Sequence, residues 1–246
     1  MIKIGVADYG MFVWYGGYYD YEDRVRSVQA LGFDGLERIY PNSPEDALNK
    51  AAWLRKNGMG FATCNAQNIE LAIKWTSALQ GEYVWVEVRG YTFEEYIRQV
   101  NELTKVTAKY GIHAVVHNHL GSMVETQEQL EEVLRRCPDV KLLFDTGHLA
   151  VAGGDVAYIA EKYADRIAAY HLKGWQTSDT PDAAKWQERG HFCGLAQGDF
   201  FIDNEAVVKT ALKNGFDGWI FIEHDTHERD PLVDLKESLT VLKSWM

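Results

Sequence analysis

The chain has few cysteines and few basic residues. It has 3 cysteines in 246 residues (Cys64, Cys137 and Cys193), and none are spaced as Cys-x-x-Cys. So few scattered thiols are typical of a reducing compartment and exclude a cysteine-based zinc site. Lys and Arg number 25 against 36 Asp and Glu, which gives a net charge of −11. An acidic surface repels phosphate backbones and anionic membranes, so we expect neither a nucleic acid nor a membrane as a partner.

Long apolar segments and several familiar catalytic motifs are also missing. No run of 18 apolar residues occurs, so no membrane helix is predicted. The opening residues MIKIGVADYG lack the apolar stretch of a secretory signal, and we therefore expect a cytoplasmic protein. No G-x-S-x-G, H-E-x-x-H, P-loop or G-x-G-x-x-G motif is found. Serine hydrolase, zincin, NTPase and dinucleotide-binding functions therefore have no support.

What the sequence does contain is a regular alternation of two patterns. Hydrophobic residues make up 46% of the chain, enough for a large core. Short β-rich runs predict eight strands, at residues 2–7, 35–39, 60–65, 83–89, 113–119, 140–145, 167–173 and 219–224. Amphipathic stretches between them predict eight helices, near residues 21–31, 44–57, 68–79, 92–110, 126–137, 155–164, 204–214 and 231–245. This alternation and the chain length predict one (β/α)8 TIM-barrel domain over residues 1–246.

A glycine follows several of the predicted helices directly. LGFDGLE (residues 31–37) and NGFDGWIFIE (214–223) both run from a helix end into a strand, and NGMGF and YGIHAVV are looser versions. Glycine just past a helix end takes the left-handed conformation that terminates the helix. These short junctions would form one face of the barrel. The longer loops after the strands would form the other face, where the catalytic residues of TIM barrels lie.

Two segments on that second face have a composition suited to binding. The longest predicted loop, residues 176–203, contains three glycines together with Trp186 and Phe192, and we expect it to act as a lid or binding loop. After the first strand comes the aromatic run MFVWYGGYYDY (residues 11–21). It either packs as a surface loop or offers a platform, including Trp14, for the C–H face of a sugar.

Polar side chains end most of the predicted strands after apolar runs that give no other reason for polarity. The candidates are Glu37, Glu87, His117, His119, Asp145, His148, His171, Lys173 and Glu223. His117 and His119 share one face of the fifth strand, because side chains alternate with a period of two. Glu37 and Glu87 either contact substrate or form internal salt bridges.

An Asp, a His and a Glu from three strands, with a histidine from the fifth, make a mixed nitrogen and oxygen site for a divalent metal. Mn²⁺, Co²⁺, Zn²⁺, Mg²⁺ and Fe²⁺ all suit such a set. Other readings exist for each ligand: Asp145 as a helix cap, Glu223 as a solvated carboxylate and His171 as a core histidine. Either His117 or His119 could be the ligand from the fifth strand.

These motifs resemble the xylose isomerase-like TIM-barrel superfamily of sugar phosphate isomerases and epimerases. The resemblance covers nearly the whole chain, and its motifs are HNHLG (117–121), FDTGHLA (144–150), YADRIAAYHLKGW (163–175), LAQGDFFID (195–203) and FIEHDT (221–226). The His-x-His-x-Gly segment followed by Glu-Thr is most similar to the inosose dehydratase branch, with keto-sugar epimerases close behind.

The resemblance implies a set of metal ligands. It places them at Asp145, His171, Glu223 and His117, where His117 replaces the more common glutamate. That replacement puts a symmetric mechanism with two glutamate bases in doubt. A second departure is Gly174, where an aspartate is usual after His-Leu-Lys, which weakens any argument for an additional metal or acid there.

The implied function is a metal-dependent sugar isomerase or epimerase that works through an enediolate. Glu223 or a histidine of the fifth strand (His119 in our assignment) would remove the proton next to the carbonyl, while His148 and Lys173 hydrogen-bond substrate oxygens. A dehydratase that eliminates a β-hydroxyl is the alternative within the same chemistry. The rivals are a DNA-repair nuclease of the same superfamily, disfavoured by the acidic charge, and a metal-free barrel that binds sugar or forms a subunit. A homo-oligomer is possible.

Overall fold

The computed structural model of the protein describes residues 1–13, 20–86, 92–195, 197–226 and 228–246. Two of the predicted substrate contacts, Trp14 and Glu87, lie outside these ranges.

Parallel strands within the described ranges form a nearly closed barrel. They are β1 (Lys3–Ala7), β2 (Gly35–Ile39), β3 (Gly60–Cys64), β4 (Tyr83–Trp85), β5 (His113–His117), β6 (Lys141–Asp145), β7 (Ile167–Leu172) and β10 (Trp219–Glu223). Their order in the sheet is β3-β2-β1-β10-β7-β6-β5-β4. The two end strands approach each other, and the Glu82 N–H donates a 2.7 Å hydrogen bond to the Ala62 carbonyl. The predicted (β/α)8 TIM barrel is therefore confirmed.

Helices connect the strands and pack around the barrel. The helices of the described chain are α1 (Tyr9–Val13), α2 (Tyr21–Leu31), α3 (Pro44–Lys56), α4 (Ile69–Ala78), α5 (Phe93–Lys109), α6 (Gln127–Arg136), α7 (Thr146–Val151), α8 (Val156–Lys162), α9 (Trp186–Arg189), α10 (Asn204–Lys213) and α11 (Pro231–Trp245). Eight of them match the predicted helices. The short helices α1, α7 and α9 were not predicted, because four to six residues are too few for a helical period to show.

The glycine junctions behave as the sequence predicts. Gly32, Gly58, Gly111 and Gly215 have φ angles of 93°, 69°, 69° and 66°. A side chain is strained in this left-handed region, so glycine ends each helix at little cost and the next strand begins within a few residues.

Large aromatic side chains fill the bottom of the barrel. Trp219 and Phe221 lie stacked in its interior, with ring centroids 5.2 Å apart and planes 11° apart. Glycine on β2, the next strand but one, makes room for the indole: a Cβ atom at Gly35 would lie 2.2 Å from a backbone oxygen and 2.7 Å from the Trp219 ring. The barrel is thus solid at this end, and its polar residues lie at the other.

The predicted long loop contains more regular structure than expected. Strands β8 (Gly174–Thr177) and β9 (Gly190–Cys193) form an antiparallel hairpin outside the barrel, with α9 between them. Strand β5 is also shorter than predicted, ending at His117 rather than residue 119. Among the described residues, no helix combines the length and the apolar character that a membrane span needs.

Candidate active site

The predicted polar residues converge at the carboxyl end of the barrel. His117, Asp145 and Glu223 are the last residues of β5, β6 and β10, and His171 is the penultimate residue of β7. Asp145 and His171 are direct register partners on neighbouring strands. Parallel pairing and the alternation of side chains bring all four to the inside of the barrel mouth.

Asp145 lies at the centre of the cluster and is fully buried. Its Oδ1 accepts a 2.8 Å hydrogen bond from the His148 N–H and caps α7. Its Oδ2 faces the cluster, 2.9 Å from Lys173 Nζ and 3.3 Å from His117 Nε2. Burial opposes ionisation, but the Lys173 ammonium holds the pKa of Asp145 well below its usual range. One carboxylate therefore serves both as the predicted helix cap and as a potential ligand.

Glu223 and His171 form the second half of the cluster. Glu223 Oε2 lies 2.5 Å from Lys173 Nζ and 3.0 Å from His171 Nδ1. His171 Nε2 lies 3.0 Å from Glu37 Oε1 on its other side. Burial disfavours a charged ring, yet the carboxylates of Glu37 and Glu223 raise the pKa of His171 well above its ordinary value. Its Nδ1 atom faces the carboxylates that a metal would share.

Glu37 supports this histidine from behind. Its buried carboxylate also lies 2.9 Å from Arg38 Nη2 and accepts a 3.0 Å hydrogen bond from the Tyr83 hydroxyl. Burial opposes its ionisation, but the Arg38 charge and the His171 ring lower the pKa of Glu37 to about 2. Of the two roles predicted for Glu37, this geometry matches the internal salt bridge. A carboxylate behind an imidazole orients the ring of a metal ligand.

The two histidines of HNHLG have different surroundings. Among the described residues, His117, Asp145 and His171 form a group whose potential ligand atoms all lie within 4.8 Å of one another. His119 is outside that group, and its ring packs against His148 with centroids 3.7 Å apart. Burial lowers the pKa of His117 to about 4, so at neutral pH its ring has a lone pair to offer a metal.

The residues of the cluster fit a divalent metal. Two imidazoles and two carboxylates are a donor set that borderline transition metals accept. His171 Nδ1 and Glu223 Oε2 are buried and, within the described chain, have ion-pair contacts but no hydrogen bond of normal geometry. Buried polar atoms of this kind commonly serve a ligand or an ion.

The peptide of Leu120 sets the tautomers of His119 and His148 in opposite ways. His119 Nδ1 donates a 2.7 Å hydrogen bond to the Leu120 carbonyl, which leaves Nε2 of the neutral ring as an acceptor. The Leu120 N–H donates to His148 Nδ1 at 3.3 Å, so the proton of neutral His148 is on Nε2. Burial, and then the charge of Lys173, lower the pKa of His148 well below its ordinary value, which keeps that ring neutral. The pair thus offers one acceptor and one donor.

The hairpin β8–β9 covers this side of the cluster. The Phe192 ring centroid lies 4.5 Å from that of His148, and Lys173 Nζ lies 4.3 Å from the same Phe192 centroid. The Trp186 ring centroid lies at similar distances from both histidine rings, 6.0 Å from that of His119 and 5.9 Å from that of His148. The sequence suggests that Trp186 and Phe192 of the long segment cover something apolar; their contacts here include the rings of His119 and His148 and the Lys173 ammonium.

Sequence reasoning missed three contributors to the site. Arg38 and Tyr83 both bind Glu37, and Asn118 bridges strand ends by exchanging two hydrogen bonds with the Asp145 backbone, at 2.8 Å and 3.0 Å. Asn118 had a usable signal, since it stands between two candidate histidines. Arg38 had one as well, because it follows Glu37 directly. Tyr83 had none, because an aromatic residue at the start of a strand is ordinary core.

The sequence matches the family described as xylose isomerase-like TIM barrel over residues 25–245, and the chain belongs to this family. It is 32% identical to the inosose dehydratase of Bacillus licheniformis over 67% of this chain and 58% of that protein. It is 28% identical to the inosose dehydratase of Mesomycoplasma hyopneumoniae strain J over 99% of this chain and 96% of that one.

Other relatives align over a smaller share of their length. The rhizopine catabolism protein MocC of Rhizobium meliloti is 29% identical over 61% of this chain and 48% of its own, and the inosose dehydratase of Clostridium beijerinckii aligns over 46% of its length. The chain therefore spans about half the length of the first curated relatives it matches.

Solved structures of low identity share the fold. The probable 3-DHS dehydratase AsbF from Bacillus anthracis superposes with a TM-score of 0.75 at 14% identity, over 98% of each chain. An L-ribulose 3-epimerase superposes with a TM-score of 0.74 at 15% identity, over 100% of this chain and 94% of that one.

Proposed function

We propose that the protein is a metal-dependent lyase that eliminates water from a keto-polyol. The observation that carries this proposal is the pair of opposed tautomers in His119 and His148, held beside the carboxylate and imidazole cluster. The inosose dehydratases among the relatives support the same class of substrate and reaction.

The metal would be held by Asp145, His171, Glu223 and His117, with Mn²⁺, Co²⁺ or Zn²⁺ as the candidates. When bound, such an ion acts as a Lewis acid toward carbonyl and hydroxyl oxygens. His117 rather than His119 belongs to this set, because its Nε2 faces Asp145 while His119 faces the Leu120 carbonyl.

One histidine can carry the proton through the whole elimination. His119 Nε2 accepts the proton from the carbon next to the carbonyl, and the resulting imidazolium keeps its Nδ1–H bond to Leu120. The same Nε2–H then protonates the β-hydroxyl, the C–O bond breaks, and water leaves. His119 ends in its starting state, so the products are the unsaturated ketone and one water molecule.

Two other side chains stabilise charge during this step. His148 Nε2–H is a neutral donor for the carbonyl oxygen, where negative charge develops as the proton leaves. Lys173 is a second, cationic donor held in the same water-poor site by Phe192. Together they favour the state in which the carbonyl oxygen is negatively charged.

Isomerisation or epimerisation, the function predicted first from the sequence, is the second candidate. Glu223 is a further proton acceptor within the cluster, in contact with His171 and Lys173. Two acceptors suit the return of the proton to the opposite face of the same carbon, as in an epimerase, whereas transfer to the neighbouring carbon can use one of them alone. Both candidates share the first step, removal of the proton next to the carbonyl.

A panel of inososes and keto sugars, incubated with the metal-loaded protein in D2O and followed by NMR, tests the proposal. With an inosose, we expect the NMR signal of one hydroxyl-bearing carbon to disappear and the signals of an unsaturated ketone to grow. His119→Gln should slow this at least ~100-fold, a typical contribution of a general base. His113→Gln is the matched control, because His113 begins β5 at the opposite end and is exposed.

Three results would contradict the lyase proposal. Deuterium entering the substrate without loss of water would favour the isomerase or epimerase instead. An Asp145→Ala protein with full activity would refute the site itself, and no bound ion together with no effect of Mn²⁺ or Co²⁺ on melting would favour a barrel that only binds sugar.

A further inference from the structure

Lys173 is a fully buried lysine whose ammonium lies between the proposed metal ligands. Its Nζ is 2.9 Å from Asp145 Oδ2 and 2.5 Å from Glu223 Oε2. The same two oxygens face His171 Nδ1, at 3.7 Å and 3.0 Å. The ammonium and any metal held by this set would therefore use the same oxygen atoms.

The charges of the cluster show what the ammonium does there. Asp145 and Glu223 each bring one negative charge into a buried site, and the nearby charge of Glu37 is paired with Arg38. Lys173 contacts both remaining carboxylates, as the His171 ring does, and the ammonium is the closer of the two to each carboxylate oxygen. A divalent ion bound through the same oxygens would lie within a few ångströms of Nζ, where two positive charges repel each other strongly at low dielectric.

We propose that Lys173 competes with the divalent ion for Asp145 and Glu223, and that metal binding releases its ammonium from at least one of them. The inference rests on the proposed metal site and goes beyond it, because it makes the affinity for metal depend on a residue that is not a ligand. It also links metal loading to substrate binding: the released ammonium becomes free to bind a substrate oxygen.

The stem of Lys173 packs closely against Gly147, and its outer end lies over the Phe192 ring. A Cβ atom at Gly147 would lie 2.6 Å from Lys173 Cγ and 3.0 Å from Phe192 Cε1, so the stem passes through a tight gap. Phe192 lies 4.3 Å from Nζ and offers its ring face to a displaced ammonium. A swing of the last carbons would thus give up a carboxylate partner and keep the existing contact with the Phe192 ring.

Titration of metal-free protein with Co²⁺, followed by its visible absorption, tests the competition directly. We expect Lys173→Met to bind Co²⁺ at least ~10-fold more tightly than the wild type, because two carboxylates lose their resident cation. Lys209→Met is the matched control: it removes one positive charge from an exposed helix pair with Glu205 and should leave the affinity unchanged.

The outcomes separate this inference from the proposed function. Equal or weaker Co²⁺ binding by Lys173→Met, or no binding by either protein, overturns the competition. Binding by Lys173→Met alone supports the competition and refutes a metal-dependent lyase in the wild type. A tighter variant together with a wild type that binds metal supports both.

A measurement on wild-type protein covers the case in which Lys173→Met does not fold. Crystal structures with and without Co²⁺ should differ at Lys173, with Nζ leaving Asp145 or Glu223 in the loaded protein. If Nζ keeps both contacts beside a bound ion, the proposal is wrong.

Discussion

The ring of His117 stays neutral although it contacts a carboxylate. Its Nε2 lies 3.3 Å from Asp145 Oδ2, which favours protonation, but burial outweighs this contact and lowers the pKa to about 4. Trp85 packs against the ring with centroids 4.6 Å apart and helps to exclude water. A neutral imidazole in this place can bind a metal without first losing a proton.

This pKa shift predicts that the metal-free protein loses stability in acid. Between pH 6.5 and about pH 4 the unfolded chain takes up a proton at His117 that the folded protein does not, so stability falls as the pH falls through this window. The loss amounts to about 3 kcal/mol at most. Chemical denaturation across this range should therefore show a shallower pH dependence for His117→Gln than for the wild type.

The acid sensitivity of the wild type alone would not identify His117, because His148 contributes to it as well. The wild type is therefore compared with His117→Gln. The pKa of His148 is also lowered, so this histidine adds to the acid sensitivity of both proteins in the same direction. Parallel stability curves for the wild type and His117→Gln would show that His117 does not titrate differently in the folded and unfolded states.

The hairpin β8–β9 and the segment after it are fixed by α11 as well as by their own strand pairing. The Leu195 N–H donates a 3.0 Å hydrogen bond to Ser238 Oγ, and Gln197 Nε2 donates one of 2.8 Å to Asp234 Oδ1. Gly194 approaches so closely that a Cβ atom there would lie 2.4 Å from Asp234 Oδ1. The cover over the site is therefore held in place from two sides.

Removing the Phe192 ring should open this cover. Phe192 is 3% exposed and packs edge-on against Trp175 with centroids 4.8 Å apart. Phe192→Ala should lower the free energy of unfolding by about 3 kcal/mol, the range for a buried phenylalanine, and should admit water to Lys173. Thermal and denaturant unfolding measure the loss of stability. The turnover of the best substrate measures the effect of water entry at Lys173.

Phe201 provides the control for that substitution. It lies in the same segment but is 81% exposed. Phe201→Ala should change stability by no more than about 0.5 kcal/mol. If the two variants lose equal stability, the hairpin does not pack on the site as described.

The barrel as a whole depends on how its lower end is filled. Trp219 is buried there, and its Nε1–H donates a 2.9 Å hydrogen bond to Glu82 Oε1, which joins β10 to the start of β4 across the barrel. Lys3 on β1 contacts the same Glu82 oxygen. One tryptophan and one glutamate therefore connect three strands that are distant in sequence.

Trp219→Ala should destabilise the whole barrel by about 3–5 kcal/mol, the cost of a large buried aromatic. Trp219→Phe should lose less, because it keeps most of the ring volume and gives up the hydrogen bond. Equilibrium unfolding of both variants, followed by circular dichroism, gives the two values. If the alanine variant were as stable as the phenylalanine variant, filling of the lower barrel end by the residue 219 ring would not contribute to stability.

Several features of the protein followed from the sequence by itself. Local patterns predicted the barrel strands, their connecting helices and the four glycine junctions, since a period of two or 3.6 and a left-handed glycine are properties of a few neighbouring residues. Parallel topology then required the ends of successive strands to meet at one face. The convergence of Asp145, His171 and Glu223 was predictable for that reason.

Only the tertiary structure distinguished between candidate residues that lie close together at the barrel mouth. The residue pattern left either His117 or His119 as the ligand and the family resemblance favoured His117; in the structure His117 faces Asp145, whereas His119 faces Leu120 and His148. Opposed tautomers, an ammonium between two carboxylates and the hairpin over Lys173 arise from contacts between segments far apart in the chain. Their energies depend on distance and burial, which no local pattern in the sequence contains.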